Sequence, residues 1–255
     1  MRSARQSRAG TLTNFKTIPK ETIRHEGCDL QVDIPYKGKI GKGTFIMLIS
    51  LPSKSACECG CSTGTTCLVM VAMLWFKSAG ATAEHAKRVG RVEAHIVNKS
   101  NLGTFSKELL KGKLDEACYD SELKILLRCL FRPTGLLRHT FRNHALLKVQ
   151  NMLVIDLLCI EPEYRGAEFG KLALRCFEHY AKKAAQFELG KFSGTVLLSP
   201  AMLDTESYTG KDQWEIEKEI VEFYRRCGYW LLKLRDWNDT RGNCQGGINV
   251  AGRRI

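Results

Sequence analysis

Apolar runs and amphipathic stretches alternate along the chain, and the first two clear runs predict a pair of strands. Residues 67–76 form an apolar run with β-branched and aromatic members, which predicts a buried strand, although its length also leaves a buried helix open. Residues 91–97 alternate, with Val92, Ala94 and Ile96 on one face and polar side chains on the other. This pattern predicts a half-buried strand that lies antiparallel to the first.

The second half of the chain predicts a strand, a helix and another strand in succession. Residues 151–160 are apolar on both faces except at Asp156, which is typical of a central strand covered by helices. After Pro162, an apolar stripe at helical spacing extends from Ala173 to Ala184 and predicts an amphipathic helix. Residues 195–198 follow as a short buried strand.

The last elements are marked by residues that favour helix ends. Asp212 is suited to the N-cap of a helix, and Gly228 is suited to the position after its C-terminus. Residues 229–234 then read as a final strand, and residues 105–131 contain further helical stretches. The succession of elements predicts one α/β domain.

Composition and charge divide the chain into a domain and two basic ends. The chain has 255 residues, is 44% hydrophobic and carries a net charge of +12. Residues 1–24 and residues 225–255 each hold an excess of five positive charges, so the middle is close to neutral. We therefore predict a basic flexible N-terminal extension over 1–27, a folded domain over 28–234 and a basic C-terminal tail over 235–255.

The ends also bear on location and partners. The first 20 residues are rich in Arg and Ser and lack acidic groups, as in a mitochondrial presequence, but a basic extension is the favoured interpretation. Apolar runs are shorter than the roughly 20 residues of a membrane-spanning helix, so no span is predicted. We expect a cytoplasmic protein, with the nucleus or mitochondrion as alternatives. Nucleic acid is not the expected partner, because no aromatic residues are interleaved with the basic ones.

The cysteines are interpreted as buried apolar residues of a reducing compartment. Their number, eleven, is odd, and several lie within apolar periodic segments. A denser group occupies a Cys-rich insertion near residues 53–66 and the strand after it: Cys57, Cys59, Cys61 and Cys67. Zinc sites favour Cys-x₂-Cys spacing, which this group lacks. We expect no metal there, and a loosely constrained insertion is the favoured interpretation.

One segment predicts a phosphate-binding loop. The strand at 151–160 leads through a short corner to residues 165–171 and then directly to the amphipathic helix. A helix N-terminus presents unpaired N–H groups and the positive end of a dipole, which suits a phosphorylated ligand. A Walker loop is excluded, because Gly166 and Gly170 enclose three residues rather than four and Leu172 follows Lys171. The dinucleotide fingerprint is absent as well.

Two motifs resemble those of the Gcn5-related N-acetyltransferase (GNAT) superfamily. Arg165 matches the first position and Gly170 the last of the family's acetyl-CoA loop, Arg/Gln-x-x-Gly-x-Gly/Ala, and Gly166 matches its common Arg-Gly form. Glu168 stands where the family has its central glycine. About 60 residues later, the segment from Glu222 to Tyr229 resembles the family's Phe-Tyr-x-x-x-Gly-Phe segment. The spacing and composition resemble the fungal branch. The resemblance implies a mixed, mostly antiparallel twisted sheet flanked by helices.

The resemblance also implies an activity and residue roles. The reaction would be direct transfer of an acetyl group from acetyl-CoA to an amine acceptor in one ternary complex. In the family the last motif's tyrosine, here Tyr224, protonates the departing thiolate, and Asp156 or Glu161 is a candidate base. The contacts implied for acetyl-CoA are the pantetheine arm along Leu158, Cys159 and Ile160, and the phosphates at Arg165, Gly166, Ala167, Phe169, Gly170 and Lys171.

Several alternatives stay open at this point. Tyr224 lies on the apolar stripe of its helix and can serve packing alone, and Asp156 can serve a hydrogen bond at a strand bulge. The carboxylate of Glu168 opposes a pyrophosphate by charge and bulk, which favours a catalytically degenerate GNAT-fold protein that binds a ligand or partner. A basic nucleic-acid-binding protein is the second alternative. The acceptor, a small molecule or a protein, and the oligomeric state are not predicted.

Overall fold

The computed structural model describes residues 23–36, 39–52, 67–81, 85–111, 121–189, 192, 194–201, 210–235 and 248–255. The predicted N-terminal extension lies outside these residues up to position 22, as do Cys57, Cys59 and Cys61 of the predicted insertion. Cys67 is described and begins a strand in which its side chain is buried.

The described strands form one eight-stranded sheet with the order β1-β2-β3-β4-β5-β6-β8-β7. The strands are β1 (Ile23–Tyr36), β2 (Lys39–Pro52), β3 (Cys67–Ser78), β4 (Lys87–Asn98), β5 (Asn151–Ile160), β6 (Thr195–Leu198), β7 (Trp230–Lys233) and β8 (Val250–Arg254). Only the pairing of β5 with β6 is parallel among the described strand pairs. The predicted fold class, a mixed and mostly antiparallel sheet flanked by helices, is confirmed.

Helices cover both faces of the sheet. They are α1 (Leu102–Phe105), continued by a π-helical turn (Ser106–Lys111), α2 (Ser121–Leu130), α3 (Phe169–Leu189) and α4 (Gln213–Arg226). Leu153 and Ile155 of β5 pack in one apolar cluster with residues of α3 and α4, whereas Met152 and Val154 pack with α1 and α2 on the other face. Burial on both faces explains why β5 lacks a polar face over this stretch.

Most predicted elements are present with nearly the predicted bounds. The antiparallel pair at 67–76 and 91–97 is confirmed as β3 and β4, and the central strand is confirmed as β5. Helix α4 begins at a capping box in which Asp212 and Glu215 satisfy each other's backbone N–H groups, as the N-cap prediction requires. Gly228 follows the helix with φ +88°, a conformation that favours glycine.

Both ends of the predicted domain differ from the sheet that forms. β1 begins at Ile23, within the predicted N-terminal extension. Val250–Arg254, assigned to a C-terminal tail, form β8, so the tail prediction does not hold for these residues. β8 lies between β6 and β7, which also makes 230–233 the edge strand rather than the final one. At Gly252 an added Cβ would lie 2.7 Å from Leu197 Cδ2, so β8 packs closely against β6.

Candidate functional site

A cleft opens where β5 and β6 separate. Their parallel pairing extends from Met152 opposite Thr195 to Ile155 opposite Leu198, and no later pair is formed between the two described strands. On the other edge of β5, Glu93 of β4 pairs with Leu157 while Ala94 of β4 pairs with Ile155. Asp156 is therefore the extra residue of a β-bulge, which bends a strand and ends regular pairing.

The cleft has a volume of about 640 Å³ and brings together most of the predicted site residues. Nine of the eleven line it: Asp156, Leu158, Cys159, Ile160, Arg165, Gly166, Gly170, Lys171 and Tyr224. The other two, Ala167 and Phe169, have buried side chains that belong to the core, with the Phe169 ring 5.3 Å from that of Phe76. These two residues can contribute only their backbone to a ligand in the cleft.

The second half of β5 presents a backbone edge to the cleft. Glu161 N donates to Val89 O at 3.0 Å, so Glu161 faces β4. By the alternation of an antiparallel ladder, the backbone groups of Ile160 and Leu158 face the opposite edge. Arg165 Nε donates to Ile160 O at 3.0 Å, which fixes the guanidinium at the end of the strand. An edge of this kind can pair with an extended amide-bearing ligand.

The loop after β5 ends at the N-terminus of α3. A 3₁₀ turn (Pro162–Tyr164) buries Tyr164, whose ring lies 5.7 Å from that of Phe169. Gly166 has φ +78° and an added Cβ there would meet no atom within 4 Å, so the loop is open to solvent at this point. The first N–H groups of a 21-residue helix such as α3 have no intrahelical acceptor and carry the positive end of its dipole.

Glu168 adopts a backbone conformation that favours glycine. Its φ is +63°, and among the described residues it is the one non-glycine residue with a positive value. The observation explains why a glycine would suit this position, since a Cβ is unfavourable in the left-handed region. The side chain is 61% exposed, and Oε2 lies 3.3 Å from Lys171 Nζ. Glu168 thus offsets the charge of the lysine that the sequence assigns to phosphates.

Gly170 allows α4 to approach the loop. A Cβ at Gly170 would lie 3.0 Å from Phe223 Cζ, which is closer than most real contacts. The next residue, Tyr224, is 8% exposed, and its ring packs against Phe223 and Tyr229 with centroids 5.1 and 5.6 Å away. Tyr224 therefore reaches the cleft from a tightly packed aromatic group.

Asp156 has a partner that sequence reasoning missed. His95 Nδ1 is in hydrogen-bond contact with Asp156 Oδ2, and the two side chains are 10% and 3% exposed. The alternation of β4 already placed His95 on the polar face, away from Val92. The contact could not be predicted because the bulge at Asp156 is not visible in the sequence. A bulge changes the register of two strands, and the register decides which of their residues are partners.

Ser199 lines the cleft and is a residue that the sequence did not single out. It follows Leu198, the last β6 residue paired with β5, so it lies just beyond the point where the strands separate, as Asp156 does. Its Oγ is buried and has no hydrogen-bond partner within the described part of the chain. A buried hydroxyl of this kind can bind a polar group of a ligand.

A buried charged network supports the aromatic group around Tyr224. Tyr229 Oη donates to Glu178 Oε1, and Arg253 Nε donates to the same oxygen at 3.0 Å. Glu178 and Tyr229 are each 3% exposed. Burial is the main reason that the pKa of the Tyr229 phenol lies well above its ordinary value. Tyr229 N also donates to Tyr224 O at 3.0 Å, so the network fixes the end of α4.

The two cysteines in the cleft have the properties of thiols rather than thiolates. Burial is the first cause that raises the pKa of Cys159, and Glu161 adds to it. Burial likewise raises the pKa of Cys227. Cysteine nucleophiles have lowered pKa values, so neither residue has the character of an acyl-carrying nucleophile.

Within the described ranges, no three His, Cys, Asp or Glu side chains are grouped so that they could hold a metal ion. None of the helices described is both long enough and apolar enough to cross a membrane.

Several solved structures are similar to this chain. No family model matches the chain, and no curated protein matches it. The crystal structure of a mosquito arylalkylamine N-acetyltransferase-like protein 5b is similar at 14% identity and a TM-score of 0.34. The match covers 73% of this chain and 74% of the mosquito chain. At this TM-score the match supplies no residue correspondence.

Proposed function

We propose that the protein is an acyl-CoA-dependent N-acyltransferase that transfers an acetyl group from acetyl-CoA to an amine acceptor. The observation that carries the proposal is the cleft between β5 and β6. One wall of the cleft is the unpaired edge of β5, and the N-terminus of α3 lies beyond the end of that strand. Asp156 and Tyr224 both line the cleft. A long ligand with amides at one end and phosphates at the other fits this order of groups.

The strand edge and the loop would hold the two parts of acetyl-CoA. The backbone of Leu158 and Ile160 faces the cleft and can pair with the amides of the pantetheine arm. The pyrophosphate would lie at the N-terminal amides of α3, beside Gly166 and Lys171. Arg165 would contribute charge from the position that its bond to the end of β5 fixes.

Asp156 is the proposed base. An amine must be neutral to attack a thioester, so a group in the cleft has to take its proton. Asp156 lines the cleft and its carboxylate is held by His95, whereas Glu161 Oε1 lies 3.7 Å from Arg88 Nε in an exposed ion pair. The buried carboxylate is therefore the better placed of the two groups, acting directly or through one water.

Tyr224 is the proposed acid. Attack of the amine nitrogen on the thioester carbon forms the C–N bond, and the C–S bond then breaks with its electron pair on sulfur. Transfer of the Tyr224 phenol proton to that sulfur gives the neutral thiol, and the proton that the nitrogen loses as the amide forms returns to the Tyr224 phenolate. The earlier proton, which Asp156 took from the ammonium group, then passes to solvent. Two groups in one cleft thus complete the proton balance of the reaction.

The experiment is an acetyl-transfer assay with a set of amines, both arylalkylamines and peptides with free amino groups. Release of the CoA thiol that depends on an amine, together with a gain of one acetyl group on that amine, supports the proposal. Acetyl-CoA binding without transfer to any amine supports the second candidate, a degenerate acyltransferase fold. Glu168 is the observation that favours this candidate, because its carboxylate neutralises Lys171 beside the loop.

A further inference from the structure

A second groove lies beside the C-terminus of α4, and none of its lining residues lines the cleft proposed for acyl transfer. It has a volume of about 610 Å³ and is formed by three segments that are distant in sequence. These are residues 140–146, the turn after α4 with Gly228 and Trp230, and the C-terminal strand with Arg253 and Arg254. None of the residues that line it carries a carboxylate.

Trp230 gives this groove an open aromatic face. The residue is 74% exposed and belongs to β7, the strand at the edge of the sheet. Because most of its surface is exposed, the Trp230 indole contributes little to the hydrophobic core. Its flat surface is available for stacking with another planar group.

The segment that forms one wall of the groove carries an unbalanced set of positive charges. Residues 131–150 contain six basic or titratable side chains and no Asp or Glu: Arg132, Arg138, His139, Arg142, His144 and Lys148. Arg253 is neutralised by Glu178, and Arg138 Nε donates to Arg128 O. Arg254 lines the groove and is exposed, and Arg142, which lies in the sequence between the lining residues Thr140 and Asn143, is exposed as well.

A second exposed tryptophan provides a comparison within the same chain. Trp214 on α4 is 52% exposed, but Lys218 Nζ lies 5.1 Å from its ring centroid. The surface around it includes Glu215, Glu219 and Glu222. Both surfaces thus have an exposed tryptophan, but the side chains around Trp214 carry charges of both signs.

We propose that the groove at Trp230 binds single-stranded nucleic acid. One base would stack on the Trp230 indole, and backbone phosphates would meet Arg254 and Arg142. A cationic groove with an aromatic platform is the arrangement that binds single strands without reading sequence. An acidic peptide would use the same cations but has no use for the indole. In the sequence no aromatic residue is interleaved with the basic ones, but the fold brings Trp230 next to Arg254 in one groove.

The test is the binding of a fluorescein-labelled twelve-residue oligouridylate to the full chain, followed by anisotropy at several salt concentrations. Trp230→Ala should weaken binding by roughly 5-fold to 100-fold, as expected for the loss of one stacked base. Trp214→Ala, the matched control, should leave the affinity unchanged. Arg254→Gln should lower the slope of log affinity against log salt by about 0.7, the value for one phosphate contact on a single strand.

Three results would overturn the proposal. The first is equal affinity of Trp230→Ala and the parent, or no binding by either. The second is binding that is lost only when residues 1–24 are removed. The third is equal competition by a polyglutamate peptide, which would identify the groove as a site for acidic proteins. Melting temperatures of both tryptophan variants establish that each is folded, and the assay does not depend on acyl transfer.

Discussion

His95 on β4 and Asp156 on β5 are in hydrogen-bond contact across two neighbouring strands, at the bulge that begins the cleft. Both side chains are almost fully buried. The contact holds the proposed base at the point where β5 leaves β6. Substitutions of the two residues can therefore show whether Asp156 stabilises the fold, takes part in the reaction, or does both.

The first prediction separates these two roles of Asp156. Asp156→Asn should lower turnover by about 10²-fold to 10⁴-fold, because the amide cannot accept the proton. His95→Gln should destabilise the fold by about 1.5–3 kcal/mol, the usual range for a hydrogen bond to a charged group. Urea unfolding and steady-state kinetics on both variants measure the two effects. Full turnover by Asp156→Asn would leave the carboxylate with a structural role only.

The second prediction compares two tyrosines whose rings are in contact. Tyr224→Phe keeps the ring in its aromatic group, so stability should change little while turnover falls by about 10²-fold to 10⁴-fold. Tyr229→Phe removes the buried hydrogen bond to Glu178 and should cost about 1.5–3 kcal/mol of stability. Each variant is the control for the other. A Tyr224→Phe enzyme that acetylates as fast as the parent refutes the assignment of the acid.

The third prediction concerns Glu168 and uses two substitutions to separate strain from charge. Glu168→Gly should stabilise the fold by about 1 kcal/mol, because glycine adopts the left-handed conformation without a Cβ penalty. It should also tighten acetyl-CoA binding, since a carboxylate no longer faces the pyrophosphate. Glu168→Gln keeps the strain and removes the charge.

Calorimetric titration and thermal unfolding of both Glu168 variants measure these effects. If the charge of Glu168 opposes acetyl-CoA binding, both variants should bind acetyl-CoA more tightly and only Glu168→Gly should gain stability. Tighter binding by the glycine variant alone would instead assign the effect to the loop conformation.

The fourth prediction follows from Lys99, a half-buried lysine outside the cleft. Lys99 Nζ donates to Leu147 O at 3.0 Å and lies 4.6 Å from the Phe131 ring centroid. Burial lowers the pKa of Lys99 to about 8. The ordinary pKa of a lysine is near 10.5. Between pH 8 and pH 10.5 the unfolded chain therefore binds more protons at Lys99 than the folded chain does, so the contribution of Lys99 to stability rises with pH.

Lys99→Met keeps the length of the side chain and removes its charge. The variant should be more stable than the parent at pH 7, by up to about 3 kcal/mol, and the difference should shrink as the pH rises from 8 to 10. Urea unfolding of both proteins at pH 7, 8, 9 and 10 measures it. A difference that does not change with pH would mean that Lys99 has an ordinary pKa.

Much of the fold was predictable because its central elements carry strong local signals. β5 is apolar on both faces, and α4 has a capping residue at one end and Gly228 after the other. β8 was missed because five residues with two arginines show no period, and the strand is specified by its neighbours β6 and β7. Long-range pairing of this kind leaves little trace in local sequence.

The site was predictable where a motif marks it and not where register decides it. The loop at 165–171 and Tyr224 were singled out from the sequence, and the fold brings both to one cleft. The contact of His95 with Asp156 depends on a bulge that shifts the pairing by one residue. The left-handed conformation of Glu168 gives a physical reason for the glycine that the resemblance leads one to expect there.

Hydrogen exchange with and without acetyl-CoA tests the central claim most directly. If acetyl-CoA lies along the edge of β5 and at the N-terminus of α3, amides within 157–160 and 165–171 should exchange more slowly in its presence. Residues of β3, which lie two strands away, should exchange at an unchanged rate. Slower exchange confined to 157–171 is the result that we predict. Unchanged exchange there at saturating acetyl-CoA, or protection of another part of the chain, would contradict the account.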